Sequence, residues 1–304
     1  MKIIDAHVHL IEFMAGFNRR GEMRPIGGGK ARWASGEVWN LVPPGLGEYG
    51  FTGEKMLEIM DAHGVEKAVL VQGNASGYQN EYSYEMMKKY PGRFTAACTF
   101  DPFMLDAEKI KNRFFYEMRF PIVKFEVGTD CGLMSYHRPF PLDGEPMSPI
   151  YDEIEKNGQV LVMDVGRFTD ASHQHGALVN IAKGHPAMKF VICHILLPSK
   201  GDDAELERQM KALDFDNVWF DLAALPLLLQ GEPNPDALVL HFIEIARKIA
   251  GPKRLMWGSD VPSTLQYNSY ADLINMIVRS GIFTDSEFED VFYNNAALVY
   301  PFGK

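Results

Sequence analysis

The feature that most constrains this chain is a regular alternation of short apolar runs with amphipathic stretches. Short β-branched apolar runs predict buried strands, and each is followed by residues with helical spacing. The predicted strands are 3–9, 66–73, 93–100, 121–127, 159–166, 188–195, 217–223 and 254–260. Eight strand–helix units close most simply into a (β/α)8 TIM barrel, an α/β fold of this size. An open doubly wound sheet is the alternative, but no G-x-G-x-x-G or P-loop follows the first strand to support its nucleotide-binding form.

One segment interrupts this alternation. Residues 10–52 are rich in Gly, Pro and Arg and are too long for a routine connection. We interpret them as an insertion or lid over the barrel, because long loops of this kind are usually functional. No linker divides the chain, so we predict a single domain over 1–304 that ends in a C-terminal helix within 284–304. Thr284 and Glu287 have the spacing of a capping box at the start of that helix.

The composition limits the class of partner. A formal net charge of -10 argues against nucleic acid and anionic membranes, which both reward basic patches. The longest apolar run, LAALPLLL (222–229), contains a proline and is too short to span a bilayer. The three cysteines lie far apart without a C-x-x-C pair, so a reducing cytoplasm is the expected location. A small anionic substrate stays open, because a site can be locally positive, and a homo-oligomer is compatible with the sequence.

Ionisable residues collect at one end of the predicted strands. In MKIIDAHVHL, alternation along a strand predicts that Asp5, His7 and His9 share one face. The other strand ends carry Lys124, Glu126, Asp164, His194, Asp221 and Asp260. A barrel builds its active site at the C-terminal ends of its strands, and scattered core histidines would not select the same end. The pattern therefore predicts a functional site.

Four stretches resemble a known family. IDAHVHL at the start, KFVICHI at the sixth strand and LMWGSDVP at the eighth resemble the amidohydrolase superfamily. The terminal VFYNNAALVYPF is similar to the closing helix of one branch. That branch holds aminocarboxymuconate-semialdehyde decarboxylase, related benzoate decarboxylases, and dicarboxylate or sugar-acid lactonases. The resemblance covers nearly the whole chain.

The resemblance implies roles for four residues. His7 and His9 would be metal ligands, Asp260 a ligand or the general base, and His194 an acid–base or substrate-polarising group. The side-chain chemistry agrees, since two neutral imidazoles and a carboxylate suit one divalent ion, Zn²⁺ or Mn²⁺, and leave a position for water. Such an ion lowers the pKa of water, and Asp260 can accept the proton.

Asp164 departs from the pattern of that branch, in which the fifth strand ends in a metal-binding histidine. In VLVMDVG an aspartate stands at this place. One interpretation is that Asp164 is itself a metal ligand and shifts the preference toward Mn²⁺ or a similar ion. The other is that the metal is lost, as in the metal-independent lactonases of the branch. Asp260 would then still act as the base, and cationic side chains would polarise the substrate.

Three cationic residues are candidates for substrate binding. Arg167 follows the fifth strand into its loop, and its planar fork suits a substrate carboxylate, although a surface position is the alternative. Arg138, in the loop after the fourth strand, is a further candidate. Lys124 could bind substrate, serve as a carbamylated ligand as in two-metal relatives, or pair with Glu126.

These residues predict a metal-dependent hydrolase of a small carboxylated compound, with a lactone or related ester or amide as the substrate. Non-oxidative decarboxylation at the same site is one alternative, because decarboxylases of this branch look much the same in sequence. A catalytically inactive barrel that binds a ligand is an alternative from another class. Against it, a degenerate site has no physical reason to keep His7, His9, His194 and Asp260.

Overall fold

A parallel sheet of eight strands forms the centre of the molecule. The computed structural model describes residues 2–303. In chain order its strands are β1 (Ile3–Val8), β2 (Phe17–Asn18), β3 (Gly21–Gly27), β4 (Lys30–Trp33), β5 (Val38–Asn40), β6 (Val65–Leu70), β7 (Phe94–Cys98), β8 (Ile122–Glu126), β9 (Val160–Asp164), β10 (Lys189–Ile192), β11 (Val218–Asp221) and β12 (Leu255–Met256). The large sheet has the order β1-β6-β7-β8-β9-β10-β11-β12, and its paired strands are parallel.

The first and last strands meet to close the sheet. The amide of Ala6 donates to the carbonyl of Trp257 at 3.1 Å, and Val8 forms a parallel bridge with Val261. The amide of Asp260 donates to the carbonyl of His7 at 2.9 Å. The predicted TIM barrel is therefore confirmed, and the seam brings the eighth strand end directly beside His7.

Helices follow the barrel strands and cover the sheet. The α-helices of residues 2–303 are α1 (Gly53–His63), α2 (Asn80–Lys89), α3 (Ala107–Asn112), α4 (Ser148–Asn157), α5 (His175–Gly184), α6 (Asp203–Ala212), α7 (Leu225–Leu228), α8 (Pro235–Ala250), α9 (Tyr270–Val278), α10 (Asp285–Glu289) and α11 (Asn295–Val299). The predicted capping box is confirmed, with Thr284 and Glu287 each bonded to the other's amide. A π-helical turn over 290–294 joins α10 to α11. None of these helices has the length and apolar character needed to cross a membrane.

The barrel interior is apolar at its base and polar at its mouth. Its packed residues are small or β-branched for the most part, among them Ile4, Ala6, Val69, Val71, Ala97, Ile122, Val160, Val162 and Val191. Val299 and Tyr300 at the end of the chain pack against this cluster. On β8, Lys124 and Glu126 follow Ile122 at alternate positions, so they face the same interior nearer the mouth. The inner face of the barrel is therefore apolar at the base and charged near the mouth.

The segment after β1 forms a second sheet, which the sequence did not predict. Strands β2 to β5 are antiparallel neighbours, and the buried residues Met23, Ala31 and Trp33 alternate with exposed ones. A bridge between Ile11 and Phe51 joins the two ends of the segment. The predicted 10–52 insertion is therefore folded, and its role as a lid stays a prediction. Residues 1 and 304 of the predicted single domain lie outside the described residues.

Candidate active site

Two imidazoles and a carboxylate converge at the seam of the barrel. The Nε2 atoms of His7 and His9 lie 3.2 Å apart. Oδ1 of Asp260 lies 3.0 Å from Nε2 of His9 and 3.4 Å from Nε2 of His7. The seam hydrogen bonds set this arrangement, because they fix the backbone of residues 7–9 against that of residues 260–261.

A local irregularity in β1 explains how two histidines reach the interior. The prediction that Asp5 shares their face differs from the structure, in which Tyr270 of α9 donates to Oδ2 of Asp5 at 2.7 Å. The pairing of β1 with β6 is irregular between Asp5 and Val8, so strict alternation does not hold there. Oδ1 of Asp5 accepts the amides of His7 and Ser259, and Asp5 thereby supports both sides of the seam.

Asp221 holds two of the histidines. Its Oδ2 accepts a hydrogen bond from Nδ1 of His7 at 3.0 Å, and its Oδ1 accepts the amide of His194 at 2.8 Å. Asp221 and His7 are fully buried. Because Nδ1 of His7 carries the proton, the lone pair of its Nε2 points toward His9 and Asp260. Asp221 therefore contacts both His7 and His194.

His194 lies in an unusual backbone turn rather than in the predicted strand. Strand β10 ends at Ile192, and residues 194–197 all have positive φ, between 44° and 71°. Left-handed conformations cost non-glycine residues on the order of 1 kcal/mol each, so the turn needs support. Asp221 supplies it at the His194 amide, and Nδ1 of His194 donates to the carbonyl of Ala223 at 3.0 Å. Asp260 also has a positive φ, of 58°.

The electrostatics of the site follow from burial and pairing. Burial lowers the pKa of His7 to about 4 and also lowers the pKa of His9, so both rings are neutral at pH 7. Burial alone would raise the pKa of Asp260, but the hydrogen bond from His9 and the nearby imidazoles outweigh it and leave the pKa below its usual value. Neutral imidazoles and an ionised carboxylate are the forms that bind a cation.

These three residues fit a divalent metal ion. Around a tetrahedral ion with bonds of about 2.0–2.1 Å, ligand atoms lie about 3.3 Å from one another. The three separations here, 3.0, 3.2 and 3.4 Å, are close to that spacing. Asp221 contacts His7 in the way that an outer carboxylate commonly orients a metal-binding imidazole. Asp164 is not part of this group; its Oδ2 lies 3.5 Å from Nε2 of His194. Its predicted role as a ligand stays a prediction.

The charge of His194 follows from its two carboxylate neighbours. Burial lowers the pKa of this imidazole, but Asp221 and Asp164 outweigh burial and raise the pKa well above its usual value. Asp164 in turn has its pKa lowered by His194 and Lys124, against the effect of burial. An imidazolium therefore lies beside the His7, His9 and Asp260 group.

A buried lysine lies across the barrel from the seam. Lys124 is 1% exposed, and no carboxylate oxygen of residues 2–303 lies within 4 Å of its Nζ. Glu126 and Asp164 face it from one layer above, as register partners on β8 and β9. Burial opposes the charge on Lys124, but the pKa is raised overall by Cys193, Glu126, Asp164 and Asp260. Burial also raises the pKa of Glu126 to about 7.

Of the two predicted arginines, one lines the cavity. Nη1 of Arg167 donates to Oγ of Ser199 at 2.8 Å, and its Nη2 donates to the carbonyl of Leu228 at 3.1 Å. Both acceptors are neutral, and no carboxylate of the described chain lies within 4 Å of this guanidinium. Arg138 is exposed and lies outside the cavity lining. Its substrate-binding role stays a prediction.

Most of these groups line one cavity of about 770 Å³, whereas His7, Asp221 and Arg138 do not. Its floor carries His9, Lys124, Glu126, Asp164, His194 and Asp260. Leu227 and Leu228 of α7 line one wall, and Val38, Trp39 and Asn40 of the insertion also line the cavity. Sequence reasoning identified the floor and missed these lining residues. The only signal for them was the length of the 10–52 segment, which marks a functional loop without saying which residues face inward.

Comparisons with known proteins place the chain. A family model described as amidohydrolase matches residues 4–302. An amidohydrolase from Burkholderia multivorans, solved with bound zinc, is 16% identical with a TM-score of 0.71, over 98% of this chain and 99% of that chain. A Pseudomonas putida protein proposed to be a 2-pyrone-4,6-dicarboxylic acid hydrolase is 21% identical with a TM-score of 0.68, over 98% and 96%. A 2,6-dihydroxybenzoate decarboxylase is 14% identical with a TM-score of 0.58, over 82% and 87%. None of the curated proteins compared with the chain matches it.

Proposed function

The chain belongs to the amidohydrolase family, and from this premise we propose that it hydrolyses a small carboxylated substrate, a lactone or related ester or amide. The reaction takes place in the cavity at the barrel mouth, where His7, His9 and Asp260 converge. The fold is common to hydrolases and decarboxylases, so only the groups of this cavity can favour hydrolysis.

The observation that carries the proposal is a pair of cavity-lining cations that form no ion pair with the described residues. Lys124 and Arg167 line the cavity, and neither has a carboxylate of residues 2–303 within 4 Å. Burying an ammonium without a counterion is costly, so a site that keeps one gains from an anionic ligand. A substrate carboxylate held by Arg167, with oxyanion charge developing near Lys124 or His194, meets that need.

The chain's own residues supply acid–base chemistry for hydrolysis. Asp260 contacts both imidazoles through Oδ1, which leaves Oδ2 to accept a proton from the attacking water. The water oxygen bonds to the carbonyl carbon, and the imidazolium of His194 stabilises the oxyanion. When the acyl C–O bond breaks, Asp260 returns the proton to the leaving oxygen. A divalent ion held by His7, His9 and Asp260 would lower the pKa of water and polarise the carbonyl.

The test is turnover of matched compounds. Protein loaded with Zn²⁺ or Mn²⁺ is assayed against carboxylated lactones, their neutral counterparts and carboxylated aromatics. We expect acid release from carboxylated lactones, a preference over the neutral ones, and loss of most activity in Asp260→Asn. The control is Asp152→Asn, which changes an exposed carboxylate that pairs with His185 and should match the wild type. Release of CO₂ without hydrolysis would replace the proposal with decarboxylation, and no turnover at all would favour the ligand-binding alternative.

Metal dependence is tested separately by elemental analysis of protein prepared in metal-supplemented medium. We expect about one divalent ion per chain, lost in His9→Ala, because removing one of three ligands opens the site. Asp260→Asn should keep more metal than His9→Ala while losing catalysis, because an amide oxygen can still ligate but cannot act as the base. Metal-free wild-type protein with full lactonase activity would contradict metal dependence and leave the route in which Asp260 acts without an ion.

A further inference from the structure

Trp39 is an aromatic residue of the insertion that faces the candidate active site. It lies on β5 and lines the same cavity as Lys124, His194 and Asp260. The other three tryptophans, Trp33, Trp219 and Trp257, are at most 8% exposed, whereas Trp39 is partly exposed. The insertion therefore presents one indole ring to the cavity.

Three neighbouring side chains hold the Trp39 ring in place. The guanidinium of Arg20 lies 4.8 Å from the centre of the Trp39 ring, and Trp33 meets it edge-on at 5.3 Å. The indole N–H donates to Oε1 of Glu37 at 2.8 Å. Arg20 itself lies outside the cavity lining.

Arg20 is in turn held on two sides. It pairs with Oε2 of Glu37 at 2.7 Å and with Oδ1 of Asp130 at 2.9 Å. Asp130 belongs to the loop after β8, which also lines the cavity. The chain of contacts therefore ties the ring of the insertion to the barrel. A ring whose orientation is set before binding loses little conformational freedom when a ligand arrives.

Packing accounts for only part of this ring. Trp39 lies opposite Ala31 in the pairing of β4 with β5 and packs against the buried core beside Trp33. The remaining apolar surface of Trp39 is partly exposed and lines the cavity. Aromatic rings in that setting favour flat partners, which gain from offset stacking in addition to burial.

We propose that Trp39 is a stacking platform for the substrate, and that the substrate is a flat, conjugated carboxylate rather than a saturated, polyhydroxylated one. This rests on the proposed function in one respect, namely that the cavity is the substrate site. The cations Lys124 and Arg167 supply the charge complement, and the leucines of α7 supply an apolar wall. A flat conjugated ring can stack on the exposed part of the indole, which favours it over a puckered, saturated ring.

The test compares two dicarboxylates of equal charge, flat isophthalate and saturated cyclohexane-1,3-dicarboxylate, by calorimetric titration. We expect the wild type to bind isophthalate about 3- to 10-fold more tightly, the size of an aromatic pair's contribution. Trp39→Leu should lose this preference, and Trp39→Phe should keep most of it. Tyr49→Leu removes an exposed aromatic of the same insertion that lies outside the cavity lining, and should behave as the wild type.

Fluorescence gives a second readout that needs no leucine variant. Isophthalate should quench the tryptophan emission of the wild type, and the quenching should disappear in Trp39→Phe, since the remaining tryptophans are buried. Equal affinity for the two ligands, no binding of isophthalate by the wild type, or a preference that survives Trp39→Leu would overturn the inference. So would a preference lost in Tyr267→Leu but kept in Trp39→Leu, because Tyr267 also lines the cavity. Because binding is measured without turnover, protein that stacks isophthalate on Trp39 but opens no lactone would overturn only the proposed function.

Discussion

At the scale of single residues, Asp221 connects the two halves of the site. Its Oδ2 accepts a hydrogen bond from Nδ1 of His7, which lies beside His9 and Asp260 at the seam. Its Oδ1 accepts the amide of His194, in the turn with positive φ. Both contacts need an acceptor, and a carboxylate offers two equivalent ones. The orientation of the His7 imidazole and the position of the His194 imidazolium therefore depend on the same buried side chain.

Asp221→Asn should weaken both functions, because an amide has only one acceptor oxygen. We expect zinc affinity and kcat/KM to fall by about 10- to 100-fold, the usual effect of losing an outer carboxylate of a metal-binding histidine. Competition titration with a zinc chelator and steady-state kinetics measure the two effects. Asp152→Asn makes the same chemical change at an exposed partner of His185 and should leave both unchanged. Equal metal affinity in Asp221→Asn and the wild type would show that His7 does not need this orientation.

Glu126 should make stability depend on pH. Burial raises its pKa to about 7 from an ordinary value of 4.5, so between these values the native state binds the proton more tightly than the unfolded chain does. The free energy of unfolding should therefore fall as pH rises through this window, by up to about 3 kcal/mol. Glu126→Gln lacks this proton, so its stability relative to the wild type should improve between about pH 5 and about pH 8. Urea denaturation at both values measures the difference, and a pH-independent difference would be evidence against the shifted carboxyl.

The sequence predicted the strand-end residues because each follows an apolar run that ends at the barrel mouth. His7 and His9 belong to one motif and Asp260 to another, and the closed seam brings these two motifs together. The displacement of Asp5 was not predictable, because a bulge leaves no mark in a short run of alternating residues. The turn at His194 was missed for a related reason, since Asp221 stabilises it from another strand.

At the scale of elements, the insertion is a folded sheet that docks on the barrel. The sequence did not predict its strands, because Gly, Pro and Arg interrupt them. Only one face of the sheet is buried, at Met23, Ala31 and Trp33. Gly27 ends β3, Gly28 and Gly29 form the turn to β4, and all three have positive φ. This turn joins the sheet to the segment after β5, since the amides of Leu41 and Val42 both donate to the carbonyl of Gly29.

Gly29→Ala should loosen the insertion, and Gly28→Ala should do so much less. A Cβ at Gly29 would lie 2.0 Å from the carbonyl oxygen of Val42, whereas a Cβ at Gly28 meets nothing within 4 Å. Both variants bear the cost of positive φ, about 1–2 kcal/mol, but only Gly29→Ala adds a backbone clash, about 1–3 kcal/mol more. Hydrogen exchange of the β3–β5 amides measures the loosening. If the insertion covers the site, KM should rise in Gly29→Ala alone; equal exchange in the two variants would contradict the docked turn.

At the scale of the whole molecule, the chain has a net charge of -10, yet its cavity contains Lys124 and Arg167 with no carboxylate of the described residues within 4 Å of either. Remote carboxylates at the surface are screened by salt over about 8–10 Å, so the local charge of the cavity decides what binds there. Closure of the barrel sets this local charge, because it places Lys124 on β8 and Arg167 after β9 opposite the seam of β1 and β12. The sequence predicted the barrel because its alternation is repeated eight times, and local errors in single elements do not disturb that pattern.

The central claim is that this cavity adds water to a carboxylated substrate with Asp260 as the base. The most direct measurement is the reaction of the best carboxylated lactone in water enriched in oxygen-18, followed by mass spectrometry of the product and analysis of the gas phase. The account requires one heavy oxygen in the newly formed carboxylate, no CO₂, and loss of labelled product in Asp260→Asn. Release of CO₂, or labelling that continues unchanged in Asp260→Asn, would contradict it.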